Sequence, residues 1–349
     1  MQQDCQFCSV ISKANGEDPI GTAGTYDHWI ITELPQPWAM EQWRQDPTVS
    51  PILALFEDLI LNQGMRLRPI AIAPDRSYSL PGHTRLIYYR RPGRCFSQYE
   101  KQEYLVPTPK VFELTRALLQ SSERLNDFDH YRQLIPTRDI LVCTHGNVDI
   151  ACSKFGFPMY QQLRQGAWAR GSLGEPNPNQ MTESQPSPYP SPPPPLRVWR
   201  CSHFGGHRFA PTLIDLPTGQ FFGHLELHHL HALVHRQGEV AQLRPCYRGW
   251  AGLRPFEQMV ERELWMQLGW PWLSYAKSGQ ILAQDESESP VWATVQIKFE
   301  RPDGHSETYQ ADIELAGDVE TASKSGELIK RQQVKQYRVS RCRLLKGKS

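Results

Sequence analysis

The chain has 349 residues, 38 Lys and Arg against 37 Asp and Glu, and a hydrophobic fraction of 39%. It is too long for one ordinary compact domain and apolar enough to bury a core, which argues against a disordered chain. The balanced charge supplies no long-range pull toward nucleic acid or an anionic membrane, and no apolar run approaches the roughly 20 residues of a membrane span.

The opening MQQDCQFCSV carries neither the basic nor the apolar stretch of a leader, so the expected compartment is the cytosol. Eight cysteines, at 5, 8, 95, 143, 152, 201, 246 and 342, then point to metal ligands or redox groups rather than to a disulfide framework.

In chain order, WIITEL (29–34) reads as a strand, SPILALFEDLIL (50–61) as a helix, and MRLRPIAIA (65–73), TRLIYYR (84–90) and EYLVP (103–107) as strands. KVFELTRALLQ (110–120) closes this segment as a helix. A second segment repeats the order. DILVCT (139–144) is a strand, and a helix follows in which Phe155, Met159 and Leu163 recur every four residues. RVWRCS (197–202) is the next strand, TLIDL (212–216) and QFFGHL (220–225) form a pair around Pro217-Thr218-Gly219, and a helix runs from about Leu227 to His235. Strand, helix, strand, hairpin, helix is the thioredoxin-like order, and the first segment reads as a degenerate copy.

Between the second segment's helix and its next strand lies GEPNPNQMTESQPSPYPSPPPP (174–195), expected to be an extended, solvated tether, with a PxxP docking peptide as the alternative. Past residue 240, PFEQMVERELWMQLGW (255–270) is an amphipathic helix. VWATVQIKFE and ETYQADIEL alternate around Pro302-Asp303-Gly304 as a hairpin, and a third strand is expected near Tyr337 and Val339. The expected class is therefore α/β (α+β), with two thioredoxin-like lobes in tandem (1–125 and 126–240, the second interrupted by 174–195) and a small α+β extension (241–349).

Two motifs carry chemistry. Cys143 ends a predicted strand and Cys152 begins the next helix, where unpaired N–H groups and the helix dipole favour thiolate. A separate strand runs into SHFGGH, whose two glycines free the backbone to turn His203 and His207 toward one point. Two thiolates and two imidazoles make a four-ligand set that zinc and a 2Fe-2S cluster both accept. The eight residues between the cysteines, unlike a short C-x2-C knuckle, lean toward the larger iron core.

Cys143 through Leu163 (CTHGNVDIACSKFGFPMYQQL) and Trp199 through Gly219 (WRCSHFGGHRFAPTLIDLPTG) resemble the sucrase/ferredoxin-like family of thioredoxin-like ferredoxins. CSVISKANGEDPIGTAGTYDHWIITELPQPW (8–38) and CYRGWAGL (246–253) resemble it too. The resemblance spans about residues 5 to 270 and implies a 2Fe-2S cluster held by Cys143, Cys152, His203 and His207. The Pro-rich insertion departs from the family pattern. Neutral imidazole ligands in place of thiolates would raise the cluster's potential, as in Rieske centres. Ser202 and Arg208 flank the ligands and are candidates for supporting them.

The function expected is one-electron transfer between redox protein partners, with no nucleic acid or membrane involved. The alternatives are a thiol-disulfide oxidoreductase or redox sensor using Cys143 and Cys152, or Cys5 and Cys8, and a zinc-stabilised binding module. Sugar hydrolysis needs two carboxylates flanking a pocket, and the scattered Asp and Glu supply no such pair. Cys201 reads as core. Cys5-x-x-Cys8 reads as surface or partly buried thiols, and His224, His228, His229, His231 and His235 as a solvated helix face rather than a metal site.

Overall fold

The computed structural model describes residues 6–165, 194–326 and 328–345. Cys5 and residues 174–193 of the expected tether lie outside the described residues.

Thirteen strands form two sheets among the described residues. The first half contains α1 (Cys8–Ala14), β1 (His28–Glu33), α2 (Met40–Gln45), α3 (Ser50–Glu57), β2 (Leu67–Ile72), β3 (His83–Arg90), β4 (Glu100–Pro107) and α4 (Val111–Gln120). The second contains β5 (Arg138–Cys143), α5 (Ile150–Gln165), β6 (Leu196–Cys201), β7 (Leu213–Leu216), β8 (Gln220–Phe222) and α6 (His229–His235). Then come β9 (Tyr247–Trp250), α7 (Pro255–Leu268), and β10 (Ala276–Gln284), β11 (Trp292–Glu300), β12 (Ser306–Ala322) and β13 (Arg331–Leu345). The expected mixed α/β class is what the chain adopts.

The larger sheet runs β4-β3-β1-β2-β6-β5-β7-β8-β9. In each half, two strands pair in parallel across a helix, β1 with β2 and β5 with β6, and the first of them takes an antiparallel hairpin on its other edge. The halves meet through their second strands, where Ile72 of β2 opposes Cys201 of β6. Ser202 stitches this seam: its N–H donates to Ala71 O (2.8 Å), and Ala71 N–H donates to its Oγ (2.9 Å).

Strand alternation divides the first half's apolar residues between two cores. Ile30, Leu86 and Tyr88 face Ile52, Phe56, Leu114 and Leu118 of α3 and α4, while Trp29, Ile31, Ile87 and Tyr89 face the main core shared with the second half. A buried charge network also ties the halves together. Asp139 accepts from Arg197 Nε, Trp199 Nε1 and Tyr89 OH (2.8, 2.8 and 2.7 Å), and Glu103 accepts from both terminal nitrogens of Arg197 at 2.7 Å.

Several elements differ from the sequence expectation. α7 starts at Pro255 as expected, but its polar face is not solvated, because it is covered on both sides. Glu261 accepts from Tyr247 OH (2.9 Å) and Trp272 Nε1 (2.6 Å), and Gln258 Nε2 donates to Ala23 O (3.0 Å) and Leu253 O (2.8 Å). β9 lies past residue 240 yet closes the edge of the larger sheet, and β10 adds a fourth strand to the second sheet. α6 begins at His229 rather than near Leu227. His224 lies outside it with φ 51°, buried, its Nε2 3.1 Å from Ser12 Oγ, and His229 is buried against Cys246 (Nδ1 to Sγ 3.5 Å). These two are core histidines, not part of a solvated face, because the chain reverses before the helix starts.

Candidate metal centre

β5 is buried at every position and ends at Cys143, so its last side chain emerges into the space between the sheet and α5. Asp149 begins α5: its Oδ1 accepts from Ala151 N–H (2.9 Å) and its backbone carbonyl from Cys152 N–H (3.1 Å), an N-cap that puts Cys152 in the first helical turn. The helix sits very close to the strand end. A Cβ at Gly156 would fall 1.9 Å from the Cys143 carbonyl oxygen, so only glycine permits this approach.

The second loop follows β6. Gly205 and Gly206 take φ of 95° and 80°, the left-handed region open to glycine, and reverse the chain between the two histidines. Buried Arg248 and half-buried Arg68 clamp the reversal. Arg248 donates to Gly205 O (3.0 Å) and Thr22 O (2.8 Å), and Arg68 donates to His203 O (2.7 Å). His203 N–H donates to His145 Nδ1 (3.2 Å), which ties this loop to the one after β5.

These loops bring His203 Nδ1 to 3.6 Å from Cys152 Sγ and 3.9 Å from Cys143 Sγ, and the three donor atoms lie within 4.8 Å of one another. The His207 ring lies beside that of His203, with centroids 5.6 Å apart, but its Nδ1 faces a second group: Cys8 Sγ and Asp149 Oδ2, each at 3.4 Å. Of the four residues expected to ligate, three converge directly and the fourth adjoins them. Cys8, read as a surface or partly buried thiol, is fully buried between His207 and Asp149.

Burial resists charge on Cys143, yet the Cys152 thiol and the His203 ring outweigh it and hold Cys143 well below the usual thiol range. Its partner Cys152, facing that thiolate and buried as well, is pushed far up. One sulfur of the pair is thus favoured as thiolate and the other as thiol. Cys201 is fully buried, as expected of a core residue, and burial beside the Cys143 charge raises its thiol far above the ordinary value. Burial shifts His207 toward the neutral ring, the form that binds metal.

Ser202 and Arg208 do other work in the structure. Ser202 joins the two halves as described, and Arg208 donates from Nε to Glu17 Oε1 (2.6 Å). Cys8, His145, Asp149, Arg68, Arg248 and Ser325 also border the cysteines and histidines. Asp149 had a local signal, an acidic residue just ahead of a helix. His145 lies in the loop between the two cysteines and Cys8 in a C-x-x-C, while Arg68, Arg248 and Ser325 come from distant segments with no local signal.

The fold and site define a mixed α/β protein with buried Cys/His groups able to hold a metal. Residues 19–249 match the family described as sucrase/ferredoxin-like, and the chain belongs to that family. Neither a curated protein nor a solved structure matches the chain. Among the described residues, no helix is long and apolar enough to cross a membrane.

Proposed function

We propose that the protein is an electron carrier holding one 2Fe-2S cluster through Cys143, Cys152, His203 and His207. The observation that carries this reading is the convergence of two buried thiols and the His203 ring, with His207 alongside, on loops from two different strands. The donor set fits such a group: two buried sulfurs and the His203 ring lie within 4.8 Å of one another, and the His207 ring lies alongside. When bound, the cluster would supply a one-electron couple, with its potential raised by neutral imidazole ligands.

The chain's own residues would do the rest. β5 and α5 hold the sulfurs out of solvent, and Gly205 and Gly206 turn the rings toward them. Arg68 and Arg248 place positive charge behind the ligand loop, which favours the reduced, more anionic state. The half-buried His207 side, with its side chain 23% exposed, is the proposed exit for electrons. Val148 and Ile150 leave apolar side chains in solvent on either side of Asp149 and would meet a redox protein partner. The repeated strand order supports reading each half as a thioredoxin-like lobe, with the second binding the cluster.

Anaerobic reconstitution with iron and sulfide should give brown protein with visible absorption and an EPR signal on reduction, both lost in a His203→Ala/His207→Ala double variant. Colourless protein holding one zinc and no iron would replace this reading with the zinc-stabilised module. The thiol-disulfide reading draws on the lowered Cys143 thiol, but both sulfurs are buried to 1% exposure, and exchange needs an accessible sulfur. Insulin reduction that survives loss of both histidines would favour it.

A further inference from the structure

The Asp149 carboxylate has no exposed side-chain surface, and it is the best-connected acid near the site. It accepts from Ala151 N–H (2.9 Å), Ser325 N–H (2.8 Å) and Ser325 Oγ–H (2.7 Å), and Cys8 Sγ lies 3.7 Å from its Oδ1. Ser325 Oγ also accepts from Cys8 N–H (3.0 Å) and lies 3.3 Å from Cys8 Sγ. Cys8 is 141 residues from Asp149 in sequence and Ser325 is 176. Both lie outside residues 19–249, the span that matches the family.

We propose that Asp149 is the positioning residue for His207, and that Cys8 and Ser325, drawn from the two ends of the chain, lock it in place. This rests on the electron-carrier reading above. A histidine that binds metal through one nitrogen generally gives its other N–H to a carboxylate or carbonyl, which fixes the tautomer and ring plane and makes the ring a stronger donor. His207 presents Nδ1 to Asp149, so Nε2 is the nitrogen left for iron. Three N–H and O–H donors hold the buried carboxylate, and its Oδ2 lies 3.4 Å from His207 Nδ1. Cys8 Sγ lies 3.4 Å from His207 Nδ1 and 3.7 Å from Asp149 Oδ1, so it packs between the ring and the carboxylate.

The consequence is that the second sheet takes part in the metal centre. Ser325 lies beyond the end of β12 (Ser306–Ala322), and its neighbour Gly326 pairs with Gln6, just ahead of α1 (Cys8–Ala14). The segments around Cys8 and Ser325 thus meet beside the site.

The test uses the full chain, reconstituted, with the midpoint potential at one fixed pH and the pulsed-EPR couplings of the ligating nitrogens as readouts. Asp149→Asn keeps a good helix N-cap and nearly the same volume while removing the charge. It should raise the potential, change the coupling of one histidine but not the other, and speed loss of iron to a chelator by roughly 10- to 100-fold. Asp149→Glu should recover part of each. Ser325→Ala should move the same readouts in the same direction by less, while Ser323→Ala, in the same loop but bonded only to Lys330 O, should leave them alone. If Asp149→Asn fails to fold, Ser325→Ala against Ser323→Ala decides the matter.

Wild-type potential and couplings in both Asp149→Asn and Ser325→Ala would overturn the assignment while leaving the cluster reading intact. A cluster lost in Cys8→Ala but unchanged in Asp149→Asn would make Cys8 a ligand and would also overturn it. A wild-type chain that takes up no iron would remove both this inference and the reading beneath it.

Discussion

At Gly156 the side chain that is missing matters more than any that is present. The space a Cβ would need is already filled by the Cys143 carbonyl oxygen at 1.9 Å, and that is backbone that cannot swing away. Gly156→Ala should push α5 off the end of β5, cost about 1–3 kcal/mol or more, and separate Cys152 from Cys143. Calorimetry and iron content after reconstitution check this, with both expected to fall together. The buried histidines give a second expectation at this scale. Burial lowers His224 to about 3 and His229 to about 4, whereas in the unfolded chain both protonate near 6.5. Below about pH 6.5 the unfolded state binds protons that the folded state refuses, so stability is complete above that pH and declines as the pH falls toward 3. Urea midpoints measured from pH 8 to pH 4 should fall, and a His224→Gln/His229→Gln variant should show a flatter slope whatever its absolute stability.

Among the elements, the charge network at the junction of the two halves is the most exacting. Asp139 has no solvent exposure and pairs with Arg197, with Lys101 at 2.5 Å, and with the Trp199 and Tyr89 donors. Asp139→Ala would leave Arg197 and Lys101 to share Glu103 alone and strand the Trp199 and Tyr89 donors, and should cost about 3–5 kcal/mol in chemical unfolding, against about 1 kcal/mol for Ser202→Ala at the seam. The strands themselves were legible. β1, β2, β3, β5 and β6 fall within a residue or two of the sequence expectation, because apolar alternation and fully apolar runs report local burial directly. Short elements without such a pattern, α1, α2 and β9, were not. The same holds for the polar face of α7, where burial depends on partners contributed by other segments.

For the whole molecule, the portion beyond residue 275 is part of the core. Val295, Ile297 and Phe299 of β11 join the main cluster, Phe299 packs edge-on to Trp272 (centroids 5.1 Å), and the Lys277 ammonium lies over the Trp250 ring at 4.5 Å. A chain ending at residue 275 should expose this face, bind a hydrophobic dye, and unfold at markedly lower denaturant than the full chain, even though it retains every residue of the family match. It should also lose iron faster, since Ser325 is gone.

Taken alone, the sequence determined the two repeated strand-and-helix orders, the mixed α/β class, and the Cys143, Cys152, His203 and His207 motifs, since each is written in spacing over a few neighbouring residues. Tertiary structure decided what surrounds them. His207 turns its Nδ1 to Cys8 and Asp149 and not to the two sulfurs, and the arginines behind its loop come from β2 and β9. The physical reason is range. Periodicity and capping act within a turn or a strand, whereas the bonds that orient His207 join residues 141 to 199 positions apart, and only the closed sheet brings those segments together.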